Sequence, residues 1–365
     1  MTNARRLHWF SPHATPYHDY VFRRLAGEFP GFDVTFGVAS LASHPWKSEL
    51  GVGFPSRRSS TFLGIDWRSV GLPITDPGAF FMVVGWDTRT MWVLLALLRL
   101  LGRDYALWTD TPEPNRCGPA WRERARAAFL RWIFTGARAV MGTGRPGVDG
   151  LRRMGVPEGK LVVFPFFLDL DAFRRPGWVR VPGAPVHFMS SGRVQNWLKG
   201  HDVAIRALAR ASAETGQPFR YSVAGTGPDV QRLGELAAEL GVADSVQLLG
   251  WTEPGDLRAL MTTADALIHP SPVPDPFPNA VLEGMAAGMV VFGSDVSGSA
   301  LDRIDHGENG FIHRAGSVDD LAAQVGKLLL DPGLAARIGP KAAARAAEWP
   351  LERGIRVIRS LFQPT

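Results

Sequence analysis

Short apolar runs recur through the second half of the chain: Val186–Ser190, Phe219–Ala224, Ser245–Leu249, Ala266–His269, Met289–Gly293 and Phe311–His313. Runs this short and this apolar predict strands buried on both faces. The stretches between them carry apolar residues three and four apart. They predict helices over Asp202–Ala213, Val230–Leu240, Asp256–Thr262, Asn279–Ala287 and Val318–Leu330. Ser317 precedes the last of these and Asp320 follows it by three positions, a capping-box variant. Strands alternating with helices form βαβ units, which build a parallel sheet with helices on both faces.

The first half repeats the pattern less cleanly. Strands are predicted at Leu7–Phe10, Asp33–Val38, Phe80–Gly85, Ala106–Thr109, Ala139–Gly142 and Leu161–Pro165, with helices at Tyr17–Glu28, Thr90–Leu101 and Ala120–Phe134. Ser40–Pro77 has no clear period and many Gly, Pro and Ser, and reads as a long functional loop region. Pro176, Gly177, Pro182, Gly183 and Pro185 crowd into Phe173–Pro185, the composition of a linker. A last helix, about Leu351–Phe362, follows the breaker Pro350. The predicted architecture is α/β: Rossmann-like, doubly wound domains at 1–172 and 173–349, then a C-terminal helix at 350–365. Ligands of such sheets bind beyond the carboxyl ends of the strands.

Composition narrows the class. The 365 residues suffice for two cores, and 45% hydrophobic with 21% charged residues excludes a disordered, collagen-like or coiled-coil chain. The single cysteine, Cys117, excludes a disulfide framework and a cysteine-based zinc site, and fits a reducing cytosol. Residues 1–180 hold 24 basic and 15 acidic side chains, a net +9; residues 181–365 hold 16 and 20, a net −4. Nine of the twelve tryptophans also lie in the first half, so the halves are expected to meet different partners. Met1–Phe10 lacks the apolar core of a signal peptide, and Met91–Leu98 is too short to span a bilayer; it reads as a buried helix.

Three segments carry the chemistry. In Asp275-Pro-Phe-Pro-Asn-Ala-Val-Leu-Glu283, a carboxylate sits inside a helix of small and apolar residues, where a charge must be paired or ligand-bound. Asp275 lies in the loop feeding that helix. Pro276 and Pro278 stiffen the loop, and the amides of Asn279, Ala280 and Val281 are first-turn donors suited to an anion. Carboxylates flanking donor amides suit a ligand with both hydroxyls and phosphate. In Gly192-Arg193-Val-Gln-Asn-Trp-Leu-Lys199-Gly200, between a strand and a helix, Arg193 and Lys199 supply positive charge for a diphosphate. Gly225-Thr226-Gly227-Pro228 is another strand–glycine turn–helix junction. It lacks the third glycine of the dinucleotide pattern, and reads either as structural or as a third wall of the same phosphate pocket.

Together these segments resemble the donor domain of the GT-B-fold glycosyltransferases of family 4, retaining nucleotide-sugar transferases. The family's E-x7-E motif appears as Asp275-x7-Glu283, its Gly-Arg…Lys-Gly segment as Gly192-Arg193…Lys199-Gly200, and its Gly-x-Gly-Pro turn as Gly225–Pro228. Leu249-Gly250-Trp251, Ser294–Gly298 and His306–Phe311 are similar too, and Val163–Phe173 resembles the family's hinge. The likeness is close over residues 135–345 and only architectural before that. It implies domains facing across a cleft, with the C-terminal helix crossing back to the N-terminal domain. By motif, Glu283 meets the donor ribose and Asp275 the sugar hydroxyls. Arg193 and Lys199 hold the diphosphate and stabilise its charge as it leaves. The backbone of Pro278, Asn279 and Ala280 touches sugar or phosphate, and Gly250 and Trp251 lie near the base. The first acid is Asp275 rather than Glu, Phe166 stands where many relatives have Asn, and Ser11–His18 lacks their glycine-rich loop.

In the first half, Asp110 at a strand end is expected near the reacting sugar, and Asp87, His13 and His18 near the acceptor. Asp169-Leu-Asp171 spells a metal-binding Asp-x-Asp, but its hinge position and lack of further ligands argue against a metal, and no cofactor is expected. Arg122, Arg124, Arg126, Arg131 and Arg138 make a basic helix that reads as a solvated face or as a contact for anionic lipid. No nucleic-acid motif is visible. The expected protein is a cytoplasmic glycosyltransferase, peripheral on the inner face of the cell membrane. It would use a nucleotide diphosphate sugar and a glycan or lipid-linked acceptor. An epimerase-like enzyme on the same fold and a non-catalytic nucleotide-sugar-binding protein remain alternatives.

Overall fold

The computed structural model describes residues 5–38, 53–110, 112 and 119–363. Cys117, residues 40–52 of the predicted loop region, and Thr111, Glu113 and Pro114 lie outside them. The chain forms two compact units. One comprises residues 1–168 and 350–365, the other Asp169–Trp349.

The first unit contains β1 (Leu7–His13), α1 (Pro16–Glu28), β2 (Phe32–Val38), β3 (Ser56–Arg58), α2 (Trp67–Thr75), β4 (Phe80–Val84), α3 (Arg89–Leu100), β5 (Asp104–Thr109), α4 (Ala120–Gly136), β6 (Ala139–Gly142), α5 (Gly144–Arg153) and β7 (Leu161–Val163). Its parallel sheet has the order β3-β2-β1-β4-β5-β6-β7. The apolar runs form its centre because both faces are covered. Trp9, Phe22, Phe80 and Trp108 pack on one side, and Phe10, Phe81, Leu94 and Phe134 on the other. The apolar run from Met91 lies in α3, with Met91, Leu94, Leu95 and Leu98 buried. No described helix is long and apolar enough to cross a membrane.

The described part of the predicted loop region, residues 53–77, is not structureless. It holds the edge strand β3 and the helix α2, which Asp66 caps by accepting from the amides of Arg68 and Ser69 at 3.2 and 3.3 Å. Gly71 and Pro73 hid this helix from its periodicity, whereas the cap residue advertised it. The helix α5 was hidden likewise by its glycines. Gly147 and Gly150 admit close approach of backbone: a Cβ there would come within 3.1 Å of the Asp110 carbonyl and 2.7 Å of the Pro112 carbonyl.

The second unit contains β8 (Val186–Ser191), α6 (Asn196–Lys199), α7 (His201–Thr215), β9 (Phe219–Ala224), α8 (Val230–Glu239), β10 (Val246–Gly250), α9 (Pro254–Thr263), β11 (Ala266–His269), α10 (Asn279–Ala286), β12 (Val290–Ser294), α11 (Gly298–Arg303), β13 (Phe311–His313), α12 (Val318–Leu330) and α13 (Leu334–Ala347). Its parallel sheet runs β10-β9-β8-β11-β12-β13. Ser317 Oγ accepts from the Asp320 amide at 3.2 Å, as a cap should. The Asp320 carboxylate turns instead to the Arg314 amide at 2.6 Å.

The Pro/Gly-rich stretch after residue 172 has irregular backbone, yet it is tied down. Arg175 donates to the carbonyls of Ala264 at 2.6 Å, Met261 at 3.2 Å, Gly288 at 2.9 Å and also Ala287. One guanidinium thus closes the C-terminal ends of both α9 and α10, where carbonyls lack helical partners. Pro and Gly mark unrepetitive backbone here, not a detached linker. The last helix, α14 (Leu351–Phe362), adds Leu351, Ile355 and Ile358 to the core of the first unit.

Candidate active site

Strand order locates the site in each unit. In the second sheet the sequence order reverses between β8 and β11; in the first it reverses between β1 and β4. Loops leaving neighbouring strands at such a point diverge to opposite faces and leave a crevice at the carboxyl edge.

At the β8/β11 crevice the structure brings together Lys199, at the end of α6, and Asp275, in the loop after β11. Lys199 Nζ and Asp275 Oδ2 form an ion pair. His269, the last residue of β11, shares the same carboxylate oxygen through Nε2 at 3.0 Å, and Ser271 Oγ reaches it at 3.3 Å. Burial alone would push the Asp275 pKa up. Hydrogen bonding with His269 and the adjacent Lys199 ammonium outweigh that and hold it well below the usual carboxylate range. Burial first, and then Lys199, lower the pKa of His269 against the opposing pull of Asp275. His269 is therefore a neutral donor at pH 7, and Lys199 is the cation that keeps Asp275 ionised. His269 and Ser271 were not among the expected site residues. The available signal was a polar residue closing an otherwise wholly apolar strand run, Ala266–His269.

Close backbone contacts shape the Arg193 loop. Gly192 has φ +137°, a conformation side chains rarely adopt. The amides of Gly192 and Val194 donate to the carbonyls of Ala224 and Thr226 at 3.0 and 2.9 Å, zipping the loop after β8 to the loop after β9. A Cβ on Gly225 would lie 1.8 Å from the Gly192 carbonyl oxygen, and one on Gly227 2.1 Å from that of Val194. Gly225 and Gly227 are thus required by loop packing, and Thr226 is exposed between them. Arg193 donates to Gln195 Oε1 at 3.3 Å. Behind it His201 is buried, its Nε2 3.4 Å from the Arg193 carbonyl, and burial pushes its pKa down to about 4.

Glu283 lies in the buried run of α10 and is itself 3% exposed, so its carboxylate is enclosed rather than solvated. Pro278 precedes α10 without a side-chain cap, leaving the amides of Asn279 and Ala280 at a half-buried helix start; Ser299 Oγ fixes the Pro278 carbonyl at 2.9 Å. Gly250 ends β10 and bridges to Gly225, whose amide donates to the Gly250 carbonyl at 2.8 Å. The Trp251 indole donates to Glu253 at 2.9 Å.

At the β1/β4 crevice, His13 ends β1, Asp87 follows β4, and Asp110 follows the next strand, β5, so all three share one sheet edge. Asp87 and Asp110 are exposed. His18, expected with His13 near the acceptor, is enclosed. It is 7% exposed, stacks on Phe22 with centroids 5.4 Å apart, and has Trp108 and Phe166 around it. Burial first and the neighbouring His13 push its pKa down to about 4. Its Nδ1 lies 3.3 Å from the His13 carbonyl, so it braces the end of β1. Exposed Asp171 pairs with Arg174 at 2.9 Å.

These two α/β units have the fold of the GT-B glycosyltransferases. A structure of Anabaena HepE (Alr3699) in complex with UDP superposes with a TM-score of 0.76 at 17% identity, over 98% of this chain and 99% of that one. Residues 180–345, nearly the whole second unit, match the family model described as glycosyl transferases group 1. Among curated relatives, D-inositol 3-phosphate glycosyltransferase of Nocardia farcinica is 30% identical over 283 residues, 72% of this chain and 60% of that protein. WcaL of Salmonella typhimurium, provisionally named a colanic acid biosynthesis glycosyltransferase, is 29% identical over 180 residues, 48% of this chain and 43% of its own length. The matches thus span less than two thirds of either relative.

Proposed function

We propose that the protein transfers a sugar from a nucleoside diphosphate donor to a hydroxyl of a glycan or lipid-linked acceptor. The observation that carries this reading is the Lys199–Asp275 pair at the switch point of the second unit, inside the segment matching the glycosyl transferase family model. In this reading the second unit binds the donor. Arg193 and Lys199 neutralise the diphosphate as it departs, so no metal is needed for that charge. Asp275, fixed by His269 and Ser271, accepts from the sugar hydroxyls, Glu283 from the ribose, and the first amides of α10 meet phosphate. Asp87, Asp110 and His13 receive the acceptor at the edge of the first sheet. Transfer with retention rests on the family 4 resemblance. The basic excess of the first half supports an anionic or membrane-borne acceptor, at the inner face of the cell membrane.

A thermal-shift screen with UDP-, GDP-, ADP- and TDP-sugars tests the donor, since a ligand that binds the folded state raises its apparent stability by mass action. One nucleotide class is expected to do so. Arg193→Ala is expected to lose turnover about a hundredfold or more while staying folded. No shift with any donor, a wild-type rate in Arg193→Ala, or epimer formation without an acceptor overturns the reading.

A further inference from the structure

The first unit carries an apolar surface that the transfer reading does not use. Phe62, Leu63, Trp67, Ile74, Leu100 and Leu101 are 69%, 71%, 54%, 63%, 69% and 39% exposed. They belong to one region. The Phe62–Ile65 turn, closed by its two mutual backbone hydrogen bonds of 2.9 and 3.1 Å, leads directly into α2. Trp67 and Ile74 stand seven residues apart on α2, and therefore on the same face. Thr90 Oγ1 accepts from the Asp66 amide at 3.0 Å, and Arg103 donates to the Pro73 carbonyl at 2.8 Å. These bonds join α2 to α3 at both ends and bring Leu100 and Leu101 to the Ile74 end.

The tip is also strained. Leu63 has φ +55°, the only positive φ outside glycine among the described residues. A leucine held left-handed and exposed is doubly unfavourable in water, and such outliers persist where function maintains them. The exposed charge of this segment has one sign. Between residues 53 and 75 the ionisable residues are Arg57, Arg58, Arg68 and Asp66. Asp66 is buried and bound by Arg57 at 2.9 Å, which leaves Arg58 and Arg68 as the exposed charges. Both line an open recess of about 350 Å3 together with Phe62, Trp67 and the paired Arg57 and Asp66. Apolar tips beside arginines match an anionic lipid surface, which accepts side chains at the acyl boundary and offers phosphate to the guanidinium groups.

We propose that the Phe62–Ile65 turn and the exposed face of α2 dock the protein on an anionic phospholipid bilayer. This face, rather than the arginines of α4, makes the contact. In α4, Arg126 pairs with Glu123 at 3.5 Å, and beyond it Arg138 donates to the Gln363 carbonyl at 2.8 Å. The test is co-sedimentation of the full chain with phosphatidylcholine vesicles, with and without phosphatidylglycerol, in the absence of any nucleotide. Its outcome is therefore independent of whether the protein transfers sugar. The expected result is binding that needs the anionic lipid. Phe62→Ser with Leu63→Asn should weaken it about tenfold or more; asparagine tolerates the left-handed turn, and thermal unfolding checks the fold. Arg58→Gln and Arg68→Gln should each cost about fivefold. Arg122→Gln with Arg124→Gln should change nothing. Wild-type protein left in the supernatant, a turn variant that binds like wild type, or binding lost only in the α4 variant overturns the proposal. So does self-association abolished by the turn variant in a chain that ignores vesicles.

Discussion

Replacing Lys199 by methionine keeps most of the side-chain volume and removes the cation from the most enclosed ion pair of the candidate site. The two side chains are 20% and 11% exposed. Removing one partner of a buried pair costs about 3–5 kcal/mol, because the other charge stays behind. With the lysine head one fifth exposed, the low end applies, about 3 kcal/mol at pH 8. The loss should shrink in acid, for a reason visible in the site. Lys199 is one of the causes that lower the His269 pKa, whereas Asp275 raises it. Burial is the larger cause of that lowering and remains without Lys199, so the His269 pKa moves up but burial still opposes its charge. A histidine whose folded pKa lies below the unfolded one costs stability as pH falls, and a smaller lowering costs less. Lys199→Met should thus lose less at pH 5 than at pH 8, by at most about 1.4 kcal/mol for each unit by which the His269 pKa rises. Urea unfolding at both pH values measures this, and adding His269→Gln should erase the difference. A loss below about 1 kcal/mol at pH 8, or an equal loss at both, refutes the account of which cation holds Asp275.

Gly225→Ala should destabilise the second unit by more than about 3 kcal/mol, since its Cβ meets the Gly192 carbonyl oxygen at 1.8 Å and backbone must move; an unchanged unfolding midpoint would contradict the zipped-loop packing. Arg175→Ala should cost about 2–4 kcal/mol by orphaning carbonyls at the ends of α9 and α10, read as earlier hydrogen exchange in those helices. His18 and His201 have folded pKa values near 4, below the unfolded value, so the unfolded chain takes up their protons first. Stability should therefore fall between pH 6.5 and 4, by up to about 3 kcal/mol for each. His18→Gln should flatten its share of that fall in acid unfolding curves.

The local elements and much of the second-unit site were written in the order of residues. Ala266–His269, Phe311–His313 and Val318–Leu330 are strands and a helix at the boundaries their periodicity sets, because each is long or apolar enough for burial to decide. The Lys199 and Asp275 segments were recognisable from charge placed against glycine and proline. Elements whose pattern is broken by those same residues, α2 and α5, were not legible. A helix containing Pro73, or Gly147 and Gly150, forms because neighbours fill its surface, and periodicity does not record neighbours. Only the tertiary structure decided which residues meet. Strand order carries β8 next to β11 and so Lys199 to Asp275, 76 positions away. It made His269 and Ser271 part of the site, enclosed His18, and tied the supposed linker through Arg175. Sequence determines what each segment can form locally. Pairings between distant segments depend on sheet order and burial, quantities that belong to the whole fold and to no single stretch of chain.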